Sequence, residues 1–207
     1  MLYNTCHDYR GVISNMHCLV QFSQEFHWIN FRFAELDSLL FMCGIDPASA
    51  YTRSDPNDGT LDAFLCIELP GLDVAKALCE RSILIKGIYE LWCHNLTVTG
   101  LIEDAKAVPK SLRDPHMGIE KSWSINVDVH CKSYSMSDKE RCRNNFKFLD
   151  FKGKVNLDDA DVQMWILLDY SRQANSNEVS IFPVKYLLIS FVLLEIVEEH
   201  FFQESLA

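Results

Sequence analysis

From Trp123 to Lys132 the residues alternate in character. Trp123, Ile125, Val127, Val129 and Cys131 are apolar, while Ser124, Asn126, Asp128, His130 and Lys132 are polar. Successive side chains of a strand point to opposite faces, so this run predicts a β-strand with one face on a core and the other in water. A strand needs partners, and the chain must therefore build a sheet that is covered on at least one side. With 207 residues, 48% of them hydrophobic and 12% aromatic, it can fill one ample domain or two small ones.

The pattern before this strand predicts a first unit over residues 17–94. His17–Phe22 reads as a strand. Phe33, Leu36, Leu40 and Cys43 then recur at helical spacing up to Gly44, and a weaker strand is expected at Ala48–Thr52. The cluster Ser54-Asp-Pro-Asn-Asp-Gly59 is a turn signal that predicts a hairpin. Phe64–Leu69 reads as a strand, Leu72, Ala75, Leu78 and Cys79 as one face of a helix, and Ile83–Trp92 as a closing strand. The order βαββαβ is that of a ferredoxin-like fold.

Residues 95–120 read as a helical linker, with a helix from Thr97 to Val108. A second unit over 121–170 combines the alternating strand, a helix and a strongly apolar strand from Val162 to Leu168. Ser137-x-x-Glu140 is expected to open that helix as a capping box, with Cys142, Phe146 and Leu149 as its apolar stripe. The fold class is thus α+β: a ferredoxin-like domain followed by a smaller α/β domain. Residues 171–207 read as a divergent C-terminal tail. Its apolar run Tyr186–Leu194, bracketed by Lys185 and Glu195, is too short to span a membrane and predicts a buried helix or strand.

Little in the sequence supports chemistry. The eight glycines are all isolated, whereas a nucleotide or nucleoside cradle clusters them at a strand-to-helix turn. G-x-S-x-G, H-E-x-x-H and Pro-Pro are all missing. His17–Cys18 and Cys93–His94 are neighbours on strands and cannot both face one ion. No catalytic, cofactor-binding or metal-ligating residue is assigned. The eight cysteines lack a C-x-x-C and read as thiols in a reducing compartment. Met1–Arg10 lacks the apolar run of an export signal, so a cytoplasmic location is expected.

Charge distribution says more. The chain carries a net charge of −10, yet Lys121–Lys154 holds eight basic residues against four acidic ones and is +4. Within it, Lys139, Arg143 and Lys147 follow at four-residue spacing and are expected on the solvated helix face, opposite the apolar stripe, with Lys152 and Lys154 in the next turn. Such a stripe can meet successive phosphates, and composition alone fits an ordinary solvated helix face equally well.

Three segments extend this reading: Phe31-Arg-Phe-Ala-Glu-Leu-Asp-Ser-Leu-Leu-Phe41, Ile88-Tyr-Glu-Leu-Trp92 and Phe148-Leu-Asp-Phe-Lys-Gly-Lys-Val-Asn-Leu157. In this order they resemble the N-terminal region of the eukaryotic tRNA guanine-10 N(2)-methyltransferase catalytic subunit family, over about Cys18 to Tyr170. The resemblance implies a ferredoxin-like domain followed by a THUMP domain, incomplete here, and tRNA as partner. It makes Lys139, Arg143, Lys147, Lys152 and Lys154 candidate RNA contacts. The full-length family adds a domain that binds S-adenosylmethionine, and a small zinc-binding activator subunit. The chain is expected to be a truncated or alternatively ended product, or an incorrect gene prediction, lacking that domain; it is expected to bind neither the cofactor nor the activator, to transfer no methyl group alone, and to associate with no membrane. A non-catalytic protein-interaction or small-molecule-sensing module is the alternative, since ferredoxin-like folds serve many functions.

Overall fold

The computed structural model describes residues 15–23, 29–52, 63–95, 97–170 and 186–195. Strand β1 (Met16–Phe22) sorts Cys18, Val20 and Phe22 to one face and Leu19 and Gln21 to the other, and all five are buried. Helix α1 (Arg32–Met42) packs Leu36, Leu39 and Leu40 against the first of these faces. The weak strand expected at Ala48–Thr52 is instead a helical turn, α2 (Pro47–Ala50). The Asp46 carboxylate accepts from the Ala48 amide at 3.1 Å and Pro47 arrives with its φ preset, a pairing that starts helices. The hairpin expected around Ser54–Gly59 lies outside the described residues.

Strand β2 (Phe64–Leu69), helix α3 (Leu72–Arg81) and strand β3 (Ile85–Asn95) follow as their patterns predict. β1 lies between β2 and β3 and is antiparallel to both. Helix α4 (Val98–Ala107) is capped by Thr97, whose hydroxyl accepts from the Gly100 amide at 3.0 Å, and a single turn, α5 (Lys110–Arg113), succeeds it. Leu101, Ala105 and Val108 are buried with Trp92, so α4 packs into a core as well as connecting two units.

Strand β4 (Trp123–His130), helix α6 (Met136–Asn144) and strand β5 (Val162–Asp169) form a βαβ crossover. The two strands run parallel, with Trp123 opposite Val162 and His130 opposite Asp169. Strand β6 (Tyr186–Glu195) comes from the segment expected to diverge. It inserts antiparallel between β3 and β5, giving one six-stranded sheet in the order β2-β1-β3-β6-β5-β4. A continuous apolar run suits a strand paired on both sides.

The helices share one face. Ile88 and Trp92, on the same face of β3, join the cores under α1 and α3 and under α4 and α6 respectively. The other face is rolled inward. The Gln21 side-chain amide donates to Asp128 Oδ2 at 3.0 Å, and the Phe64 and His130 rings meet edge-to-face at 6.2 Å, so the two outer strands approach each other. Leu19, Phe64, Tyr89 and Leu167 fill the space between them. The polar side of β4, expected to be wet, is therefore partly enclosed, and Ser124 is only 2% exposed. Alternation along one strand marks its core face, but the accumulated twist that curls a whole sheet is invisible to it.

Candidate nucleic-acid interface

Helix α6 opens two residues earlier than Ser137-x-x-Glu140 predicts. The Ser135 hydroxyl accepts from the Asp138 amide at 3.2 Å, and the Asp138 carboxylate accepts in return from the Ser135 amide at 3.2 Å and from its hydroxyl at 2.7 Å. These bonds, with the Arg141 charge, hold the Asp138 carboxyl below the usual aspartate range. The helix ends at Asn144. Lys147 opens a separate 3₁₀ turn, Lys147–Leu149, which stops at Asp150 with φ 53°. Cys142, Phe146 and Leu149 are all buried, as the apolar stripe predicts.

The basic residues sit differently from expectation. At 3.6 residues per turn, Lys139 and Arg143 lie about 60° and 100° round the helix from buried Cys142. They flank the buried side and are half-exposed; the outer face belongs to Glu140, Arg141 and Asn144. Arg143 Nε is buried and finds no hydrogen-bond partner among the described residues. Lys147, Lys152 and Lys154 are exposed.

The loop carrying Lys152 and Lys154 is pinned to the start of β4. Phe151 stacks on Trp123 with centroids 4.9 Å apart and planes at 19°. The Gly153 carbonyl accepts from the Trp123 indole at 2.9 Å, and the Lys154 carbonyl accepts from the Trp123 amide at 2.9 Å. Gly153 is required sterically, because a Cβ there would lie 1.6 Å from the Lys121 carbonyl oxygen. The available signal was Phe151-Lys-Gly-Lys154, a glycine set between an aromatic residue and two cations.

Counter-charges are few. Lys152 pairs with Asp150, and Arg141 pairs with Asp138 at 2.5 Å. Among the described residues no carboxylate pairs with Lys139, Arg143, Lys147 or Lys154. Lys132 is held over aromatic rings, 4.7 Å from the Tyr170 centroid and 5.7 Å from that of Tyr134, whose hydroxyls lie 2.5 Å apart.

This surface can hold phosphates, and it offers no evident nucleophile. Burial pushes the Cys142 thiol up to about 11, so it packs as a protonated apolar group. Among the described residues no group of three or more His, Cys, Asp or Glu could hold a metal ion. β2 passes to α3 through the single Gly71, where an added Cβ would meet nothing within 4 Å. No described helix is long and apolar enough to cross a membrane.

The class so defined is an α+β domain with helices on one face of a rolled six-stranded sheet that ends in a parallel strand pair. A family model described as the Tmrp11 THUMP N-terminal domain matches residues 16–193, and the chain belongs to that family. The match continues past Tyr170, where the resemblance read from the sequence stops, and takes in most of β6. The chain is 28% identical to the tRNA (guanine(10)-N(2))-methyltransferase TRMT11 of Gallus gallus over 148 residues, covering 72% of this chain and 31% of that protein. It is 29% identical to the tRNA (guanine(10)-N(2))-methyltransferase of Saccharomyces cerevisiae over 146 residues, covering 69% and 32%. It thus spans about a third of the length of these relatives. Among solved structures, TrmN from Thermus thermophilus superposes with a TM-score of 0.50 at 11% identity, over 87% of this chain and 46% of that one, a likeness of fold alone.

Proposed function

We propose that this chain docks tRNA for a tRNA guanine-10 N(2)-methyltransferase, as an N-terminal binding region that does not itself transfer the methyl group. The observation that carries the reading is the set Lys139, Arg143, Lys147 and Lys154, cations in a +4 segment of an acidic chain that no described carboxylate neutralises. Cations without internal partners release counterions when they meet phosphates, and that release drives association with nucleic acid. Membership of a THUMP N-terminal family and relatives named as tRNA methyltransferases support tRNA as the nucleic acid. On this reading the chain holds no S-adenosylmethionine, and the activator subunit is not among its partners. The seven described cysteines, all free, support a reducing setting.

Titration of the purified chain with tRNA at several salt concentrations tests the proposal. A plot of log affinity against log salt should fall with a slope of about −0.7 to −0.9 per phosphate contact. A chain that fails to bind tRNA, or binds it with no dependence on salt, is not a docking region.

A further inference from the structure

Building on the docking reading, we propose that the RNA backbone runs along the outer edge of the sheet beside β4, and that Lys132, positioned by Tyr134 and Tyr170, is the phosphate contact at its far end.

The chain path supplies the geometry. It leaves β4 at His130, passes through α6, and returns to the start of the same strand, where the Trp123 amide donates to the Lys154 carbonyl at 2.9 Å. It then runs up β5 to Tyr170, whose amide donates to the His130 carbonyl at 3.1 Å. Lys132 and the Lys152–Lys154 loop therefore stand at opposite ends of β4. Seven residue steps at about 3.3 Å each separate these ends by about 23 Å. Lys139, Arg143 and Lys147 lie on the return path between them, so the cations are spread between the two ends of β4 rather than gathered at one of them.

Two features set Lys132 apart from an ordinary surface lysine. The chain reaches it through Cys131 at φ 60°, a conformation that side-chain-bearing residues avoid and that persists only where its surroundings enforce it. Here it redirects the chain at the end of β4. The ammonium then rests over two tyrosine rings, 4.7 and 5.7 Å from their centroids, within cation–π range. A ring attracts and orients an ammonium without cancelling its charge.

The test uses the whole chain and tRNA, with the variants Lys132→Gln, Tyr134→Ala, Tyr134→Phe, Lys147→Gln and the double variant Lys132→Gln/Tyr134→Ala. Lys132→Gln should weaken binding and flatten the salt slope by about 0.7 to 0.9, the value of one lost phosphate contact. Tyr134→Ala should weaken binding in the parent but add nothing in the Lys132→Gln background, while Tyr134→Phe, which keeps the ring, should bind as the parent does. Lys132 is exposed, so its replacement leaves the fold intact; unchanged melting temperatures check this for every variant. Parent-like binding by Lys132→Gln, with Lys147→Gln still weakened, overturns the far-end contact and leaves docking standing. Additive losses from Lys132→Gln and Tyr134→Ala overturn the positioning role. Absence of tRNA binding by the parent overturns docking and this inference together.

Discussion

Gln21 on β1 donates to Asp128 on β4 across 3.0 Å, although three strands lie between β1 and β4 in the sheet. The contact exists because the helix-free face curls until its outer strands approach. The other end of the same amide is engaged as well, since the Tyr89 hydroxyl donates to Gln21 Oε1 at 2.7 Å. Gln21 is 6% exposed, so removing its partner leaves a buried donor without water to replace it.

Asp128→Ala should therefore destabilise the chain by about 1 to 3 kcal/mol, the cost of an unmet buried polar group. Lys86, which lies 3.7 Å from the same carboxylate, is half-exposed, and Lys86→Gln should cost less than Asp128→Ala. Urea denaturation midpoints compare the two. Equal midpoints for Asp128→Ala and the parent would show that the rolled face is not held by this bond.

Truncation after Tyr170 should abolish the single cooperative unfolding of the chain. β6 pairs with β3 on one side and β5 on the other, so its loss exposes two long strand edges in the middle of the sheet. Thermal melting and size-exclusion chromatography of residues 1–170 should reveal a lower midpoint and aggregation. A fragment that melts with the parent, as a monomer, would mean that the segment is dispensable.

The sequence made local structure legible and long-range closure much less so. Strand and helix patterns located β1, β2, α3, β3, α4, β4 and β5, because period and caps are set by neighbours in the chain. The weak strand at Ala48–Thr52 gave way to α2 because one Asp46–Pro47 cap outweighs a short apolar pattern. The Tyr186–Leu194 run was readable as buried, but its place at the centre of the sheet depends on pairing with residues about 100 positions away. At the candidate interface the residue types were legible and their exposure was not. The four-residue spacing of Lys139, Arg143 and Lys147 suggested a single outward face, whereas α6 ends before Lys147 and its buried side is set by Cys142.

The Asp138 carboxyl should titrate below the ordinary aspartate value of 3.8, chiefly because it accepts hydrogen bonds from the Ser135 hydroxyl and amide. A depressed acid stabilises the fold above its unfolded value, and that contribution disappears as pH falls through the lower folded value. Ser135→Ala should return the titration toward 3.8 and loosen the first turn of α6. Carboxyl chemical shifts followed by NMR through the acid range check both statements; an unchanged titration in Ser135→Ala would remove the capping box as the cause.

Exposure also separates two pairs of candidate contacts that the sequence treats alike. Lys147 and Lys154 are exposed and have no carboxylate partner among the described residues, so replacing both by glutamine should leave stability within about 0.5 kcal/mol of the parent. If both meet phosphates, the salt slope of tRNA binding should flatten by about 1.4 to 1.8. Lys139 and Arg143 are half-buried on the turns flanking Cys142, so the matching Lys139→Gln/Arg143→Gln variant should lose stability together with affinity. Lys152 pairs with Asp150, and a phosphate must displace that carboxylate before it can use the ammonium; Lys152→Gln should therefore affect binding less than Lys154→Gln does. Fluorescence anisotropy at several salt concentrations, with melting temperatures measured on the same samples, distinguishes these cases. A Lys147→Gln/Lys154→Gln variant that keeps the parent's affinity and slope would move the interface away from this loop and leave the uncompensated charge there as ordinary solvated surface.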